Sequence, residues 1–167
     1  MAIVFKSRTF SVDVFRKRLN NGGEHEFTIV RHVPSVVIVP MQDADTVVLI
    51  RQYRASVDRD LWEVPAGSLN DGETAEEAAI RECEEEIGLV PRRLERIRGL
   101  YPAPGFCDEE LIFFRVWDLA APAPDSTRRP DEDEDIHVQL YSIADARAMV
   151  ADGRIVDLKT AYALTLI

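Results

Sequence analysis

Two cysteines in 167 residues, Cys83 and Cys107, are too few for a disulfide framework. Long apolar runs are missing as well: 46% of the residues are apolar, yet no stretch approaches the length that crosses a bilayer. The first residues, MAIVFKSRTF, lack the apolar core of a secretory signal. These absences predict a cytoplasmic chain with no membrane partner. A basic stripe is absent too. The net charge is −10, and the one dense basic run, from Arg92 to Arg98, is interrupted by Glu95, so nucleic acid is not an expected partner. The acidic excess suits a site that binds cations before a phosphate-bearing substrate, although a solubilising surface explains much of it.

No internal repeat is present, and the length fits one domain with a proper core. Two short apolar-rich runs in residues 3 to 19, a turn at Asn20-Asn21-Gly22-Gly23 and an extended run from His25 to Arg31 predict a small antiparallel ribbon over 1–33. The main body is then 34–167. Ser35–Met41 and Thr46–Arg51 flank a polar turn at 42–45 and predict a hairpin entering a buried sheet. Strands follow at 94–100, 111–119 and 136–141. Helical spacing marks 142–151, and a last helix starts at or just after Asp157.

Gly67 to Leu89, GSLNDGETAEEAAIRECEEEIGL, carries the chemistry. Thr74 with Glu77 is a capping box, Gly88 suits the left-handed position past a helix end, and Pro91 forbids continuation. Ile80, Cys83 and Ile87 fall on one apolar face. Glu82 and Glu86 lie one turn apart on the next face, with Glu85 at its edge and Arg81 about a quarter-turn away. Such close like charges need a cation between them, and oxygen ligands at this density suit a hard divalent ion such as Mg²⁺. A solvated acidic face is the plainer alternative for charge alone. The fixed positions of Gly67, Glu73, Arg81, Glu82, Glu85, Glu86 and Gly88 argue for the metal site.

This pattern is similar to the Nudix box, Gly-x5-Glu-x7-Arg-Glu-U-x-Glu-Glu-x-Gly-U, with Cys83 in place of the first aliphatic U. A buried Cys packs as a small hydrophobe, so the departure is expected to be harmless. The resemblance implies an α/β fold, an α/β/α sandwich with a mixed sheet, and a hydrolase of nucleoside diphosphates linked to a further moiety. Arg51-Gln-Tyr-Arg54, Trp62-Glu-Val-Pro-Ala-Gly67 and Pro104-Gly105-Phe106, with Pro104 fifteen residues beyond Leu89, further resemble the ADP-ribose pyrophosphatase subgroup. Ala103 stands where that subgroup often has Ser.

What the resemblance implies is specific. Glu82, Glu85 and Glu86, with the Ala66 carbonyl, hold Mg²⁺ (or Mn²⁺) as two or more ions. Arg81 orients those carboxylates and Glu73 braces the loop. Arg54, and with it Arg51, grips the diphosphate, while Pro104, Gly105 and Phe106 form a stiff substrate loop. Trp62 stands open between stacking on a base and covering the core edge. In the acidic run 131–135, Glu132 is the first candidate for the catalytic base and Glu134 the second. The expected reaction converts ADP-ribose to AMP and ribose 5-phosphate. GDP-mannose, a dinucleotide or an oxidised triphosphate remain alternative substrates, and a non-catalytic sensing module is the alternative from another class. The ribbon resembles a segment exchanged between subunits, which implies a homodimer. No chemistry is expected of His25, His32 or His137.

Overall fold

The computed structural model describes residues 2–130 and 135–167. Its first three strands, β1 (Ala2–Lys6), β2 (Phe10–Arg18) and β3 (Glu24–His32), form an antiparallel sheet in the order β1-β2-β3. The β2–β3 turn closes through Leu19 N–H to Gly23 O at 2.8 Å, with Gly22 at φ 84°. That left-handed backbone costs glycine little.

The body is built on β4 (Ser35–Pro40), whose six residues are all buried. Both faces of β4 need cover, as its unbroken apolar run requires. β5 (Thr46–Arg54), β6 (Arg59–Glu63) and β7 (Ala66–Ser68) precede α1 (Ala75–Ile87), and β8 (Val90–Leu100), β9 (Leu111–Ala120) and β10 (Ile136–Ser142) precede α2 (Ile143–Ala151) and α3 (Leu158–Ala163). One sheet runs β7-β4-β9-β8 and the other β10-β5-β6. The β4–β9 pair is parallel, its neighbours antiparallel, so this sheet is mixed.

The predicted β4–β5 hairpin does not form as one ladder. β4 and β5 share only the isolated bridge Met41–Val47, among the described residues, and then part into different sheets. β4 is claimed by β7 and β9, β5 by β6 and β10. A short polar turn makes two strands neighbours in sequence, but long-range partners decide which edges pair.

Side-chain alternation then makes two cores. Val36 and Ile38 of β4 pack with Val48 and Ile50 of β5 beneath α1, while Val37, Val39, Val47 and Leu49 pack on the opposite side against Ala146 and Met149 of α2 and Ala163 of α3. The result is the α/β/α sandwich. Among the described residues no helix is long and apolar enough to cross a membrane.

α1 forms as its end signals require. Both halves of the Thr74–Glu77 capping box are present, and Gly88 ends the helix at φ 69°, donating its N–H to Glu84 O at 3.0 Å. Its buried apolar face is Ala75, Ala78, Ala79, Cys83 and Ile87, whereas Ile80 is only half-buried. The small residues bring the helix backbone close to β4, which pushes Ile80 to the margin of the face predicted for it.

Candidate active site

The close approach of α1 to β7 sets the site. A methyl group on Gly67 would fall 1.9 Å from Glu82 Oε1, so the Glu82 carboxylate occupies the space a side chain would fill. Ala66 N–H donates to Glu86 Oε2 at 3.0 Å. Glu82 and Glu86 are both buried, Glu86 to 3% exposure, so their charge is held near the β7 backbone and largely out of water.

Arg81 lies within the acidic cluster, not a quarter-turn outside it. Its Nε and Nη2 clasp Glu73 at 2.8 Å each, Nη1 donates to Glu82 Oε1 at 2.6 Å and to Glu85 Oε2 at 2.8 Å, and Nη2 also reaches Ser68 O at 3.0 Å. A flexible stem lets the planar fork swing back across its own helix, which a wheel of Cα positions does not show. The Glu73 carboxylate, bonded first by Arg81 and then by the Asn70 N–H, is held below the ordinary Glu range. Glu73 thereby ties the Asn70 turn to the helix.

Among the described residues, no three His, Cys, Asp or Glu side chains converge as a ready metal cage. The donor chemistry nevertheless fits a hard divalent cation: Glu82, Glu85 and Glu86 offer only oxygen, they project from about one turn of α1, and Gly67 clears the space beside Glu82. One guanidinium bonds three carboxylates here, Glu73, Glu82 and Glu85, so Arg81 alone does not neutralise them.

A cleft of about 710 Å³ opens beside this cluster. That size is in the range of small-molecule sites. Gly67, Arg81, Glu82 and Glu85 line the cleft, and so do Arg54, Asp157 and Lys159. The ribbon contributes Arg8, Thr9 and His32, and Pro102 and Glu109 belong to the lining as well. Glu109 accepts from Ser35 Oγ at 2.7 Å. His32, predicted to be a surface or ribbon residue, is a ribbon residue turned into the cleft, its Nδ1 2.6 Å from Val33 O.

Arg54 forks onto Glu63, Nε to Oε1 at 2.8 Å and Nη2 to Oε2 at 2.7 Å. Glu63 is 1% exposed. Burial pushes its pKa up, but the hydrogen bonds of Arg54 and the charge of Lys159 outweigh that and hold it below the ordinary Glu range. Arg54 is raised in turn, chiefly by Glu63, with Glu86 among the contributors.

Other predicted residues lie elsewhere. Arg51 is exposed, bonds Asp60 at 2.6 Å and is not part of the cleft wall. It sits one residue out of phase with Ile50 and Gln52, whose side chains turn inward. The Trp62 ring meets Tyr141 edge-on, centroids 5.3 Å apart, and packs against the α2/α3 core. Pro104, Gly105 and Phe106 also stand off the cleft. Their loop turns on Ala103 O, which accepts from Phe106 N–H at 3.1 Å and Cys107 N–H at 2.9 Å, and it bonds the ribbon through Val30 N–H to Phe106 O at 2.8 Å. Glu132 and Glu134 lie outside the described residues.

Glu63, Glu109 and Lys159 join the site without any motif to mark them, and Asp157, expected only to start the last helix, is its N-cap and lines the cleft too. For Glu63 a signal was present: an acid flanked by Leu61, Trp62 and Val64 in a strand must find a partner when buried.

The chain belongs to the NUDIX domain family, whose model matches residues 31–160, and is a Nudix hydrolase. It is 33% identical to an ADP-ribose pyrophosphatase of Bacillus subtilis (strain 168) over 161 residues, 96% of this chain and 86% of that protein. It is also 29% identical to a methanol dehydrogenase activator of Bacillus methanolicus, again over 96% of this chain and 86% of that one. In fold it resembles the crystal structure of an ADP compounds hydrolase, with a TM-score of 0.79 and 24% identity over 99% of this chain and 88% of that chain.

Proposed function

We propose that this protein hydrolyses the pyrophosphate bond of ADP-ribose, or of a closely related nucleoside diphosphate sugar, to AMP and ribose 5-phosphate. The observation that carries the reading is the cleft itself, which Glu82, Glu85 and Arg54 line together. The identity to an ADP-ribose pyrophosphatase along nearly the whole chain supports the choice of substrate.

A diphosphate repels an incoming nucleophile with its own negative charge. Glu82, Glu85, Glu86 and the Ala66 carbonyl would hold Mg²⁺ or Mn²⁺, as two or more ions. Such ions, when bound, neutralise phosphoryl charge and acidify water. Arg81 keeps Glu82 and Glu85 aimed and spaced. Arg54, anchored by Glu63, binds phosphoryl oxygen and orients the scissile bond. Proton removal from the attacking water is assigned to Glu132, with Glu134 as second candidate. We place the enzyme in the cytoplasm, where its two free cysteines suit a reducing compartment, and as a homodimer joined through the ribbon.

The test is phosphate release from a coupled phosphatase, with ADP-ribose, GDP-mannose and a nucleoside triphosphate side by side, with and without Mg²⁺. Mg²⁺-dependent turnover of ADP-ribose is expected to exceed the others. Glu86→Gln is expected to lower kcat by about 100-fold or more while the protein stays folded. Full turnover by a folded Glu86→Gln protein defeats the metal assignment, and preference for GDP-mannose defeats the substrate.

A further inference from the structure

We propose that Lys159 is a substrate-binding residue, the second cation, beside Arg54, that takes phosphoryl oxygen of the diphosphate. The inference takes the cleft to be the diphosphate site and adds a residue to it.

Lys159 shares both of its carboxylate partners with other donors. Arg54 already satisfies that carboxylate with both arms of a fork. Lys159 Nζ nevertheless bonds Glu63 Oε2, the same oxygen that Arg54 Nη2 takes. Two cations on one oxygen repel each other at short range, and burial strengthens that repulsion. Asp157 Oδ2, 3.0 Å from Lys159 Nζ, relieves part of it, but this oxygen also accepts the Thr160 N–H at 2.9 Å and the Thr160 hydroxyl. Two carboxylates therefore balance the two cations in charge, and what the pair keeps for a substrate is N–H donors.

The donors are placed for an anion. Lys159 and Arg54 both line the cleft that Glu82 and Glu85 line. A lysine has three N–H donors, and Glu63 and Asp157 take two. Arg54 donates to Glu63 through Nε and Nη2, so Nη1 stays outside that pair. The Lys159 side chain is only 15% exposed, which fits an ammonium held in place against the cleft rather than one waving in solvent.

Amine acylation of the wild-type protein, read by mass spectrometry, tests this with inorganic pyrophosphate as the probe. Lys6 and Lys17, the other lysines of the chain, serve as internal references. Saturating pyrophosphate is expected to slow acylation of Lys159 about fivefold or more relative to both references. Equal rates with and without pyrophosphate, or no pyrophosphate binding by calorimetry, overturn the proposal. Kinetics give the second arm: Lys159→Gln is expected to raise KM about tenfold with kcat changed less than about threefold, and Lys159→Arg to recover most of the loss. A Lys159→Gln protein with wild-type KM and wild-type melting temperature also overturns it. Should Lys159→Gln fail to fold, the acylation result decides. A protein that protects Lys159 but leaves ADP-ribose intact sinks the proposed reaction and keeps this site.

Discussion

A carboxylate as buried as Glu63 has to be either neutral or paired, and here two cations keep it charged. Its pKa in the folded chain lies below the ordinary Glu range. A depressed carboxylate adds stability that is complete above the unfolded pKa and is lost as pH falls through the folded one. The protein is therefore expected to hold its melting temperature from neutrality down to about pH 5 and to lose it below about pH 4. Glu73 and Asp108, likewise depressed, add to the same acid limb. Glu63→Gln should cost roughly 2–4 kcal/mol at pH 7, because it takes the carboxylate from Arg54 and leaves Lys159 with Asp157 alone, and should flatten that limb. Thermal denaturation across pH checks both points, and an unaltered acid limb in the variant refutes the assignment. The two thiols make a contrast at the same scale. Burial first, then the charges of Glu86 and Glu84, push Cys83 up to about 12, so it should resist a thiol-disulfide reagent in the native protein while the partly exposed Cys107 reacts. Reaction of both thiols at one rate would show that the α1 packing is looser than described.

At the scale of elements, α1 was legible because all of its instructions are local. Thr74, Glu77 and Gly88 act within a few residues of themselves, and the spacing of Glu82, Glu85 and Glu86 places them on the helix without knowledge of any other strand. What lay beyond reach was any partner chosen across the fold. Glu63 and Lys159 are 96 positions apart, and β4 pairs with β9 rather than with the neighbouring β5. Periodicity reports which face is apolar but not which edge is claimed, which is why a hairpin was expected. Arg81 shows the same limit within a single helix, since a long side chain ends far from the place its Cα predicts. Gly67 joins the local and the distant. Gly67→Ala would drive a methyl into the Glu82 carboxylate, a movable group, so stability should fall modestly while kcat drops by about tenfold or more. Wild-type kcat in that variant would mean that the Glu82 position is unimportant. Thr74→Ala removes one side of the capping box and should cost about 1 kcal/mol with little change in KM, measured by denaturant unfolding.

For the whole molecule, the question is what covers the ribbon. β1 is an edge strand, and Ile3, Val4 and Phe5 in succession are each more than half exposed. An exposed, apolar sheet edge invites another chain, because its unpaired backbone and its side chains are both left in water. The ribbon is also joined to the site. Arg31 bonds Asp13 of β2 at 3.3 Å and Asp108 at 2.8 Å, and Arg8, Thr9 and His32 stand in the cleft wall. A second copy seated on β1 would therefore stiffen one side of the substrate cleft as well as cover apolar surface. Light scattering at micromolar concentration is expected to give twice 18.9 kDa. Phe5→Asp, a charge placed on that edge, should return the monomer mass and raise KM more than it lowers kcat, since the carboxylate cluster on α1 is untouched. A wild-type protein that runs at 18.9 kDa removes the dimer. A Phe5→Asp monomer with unaltered KM keeps the dimer but separates it from substrate binding.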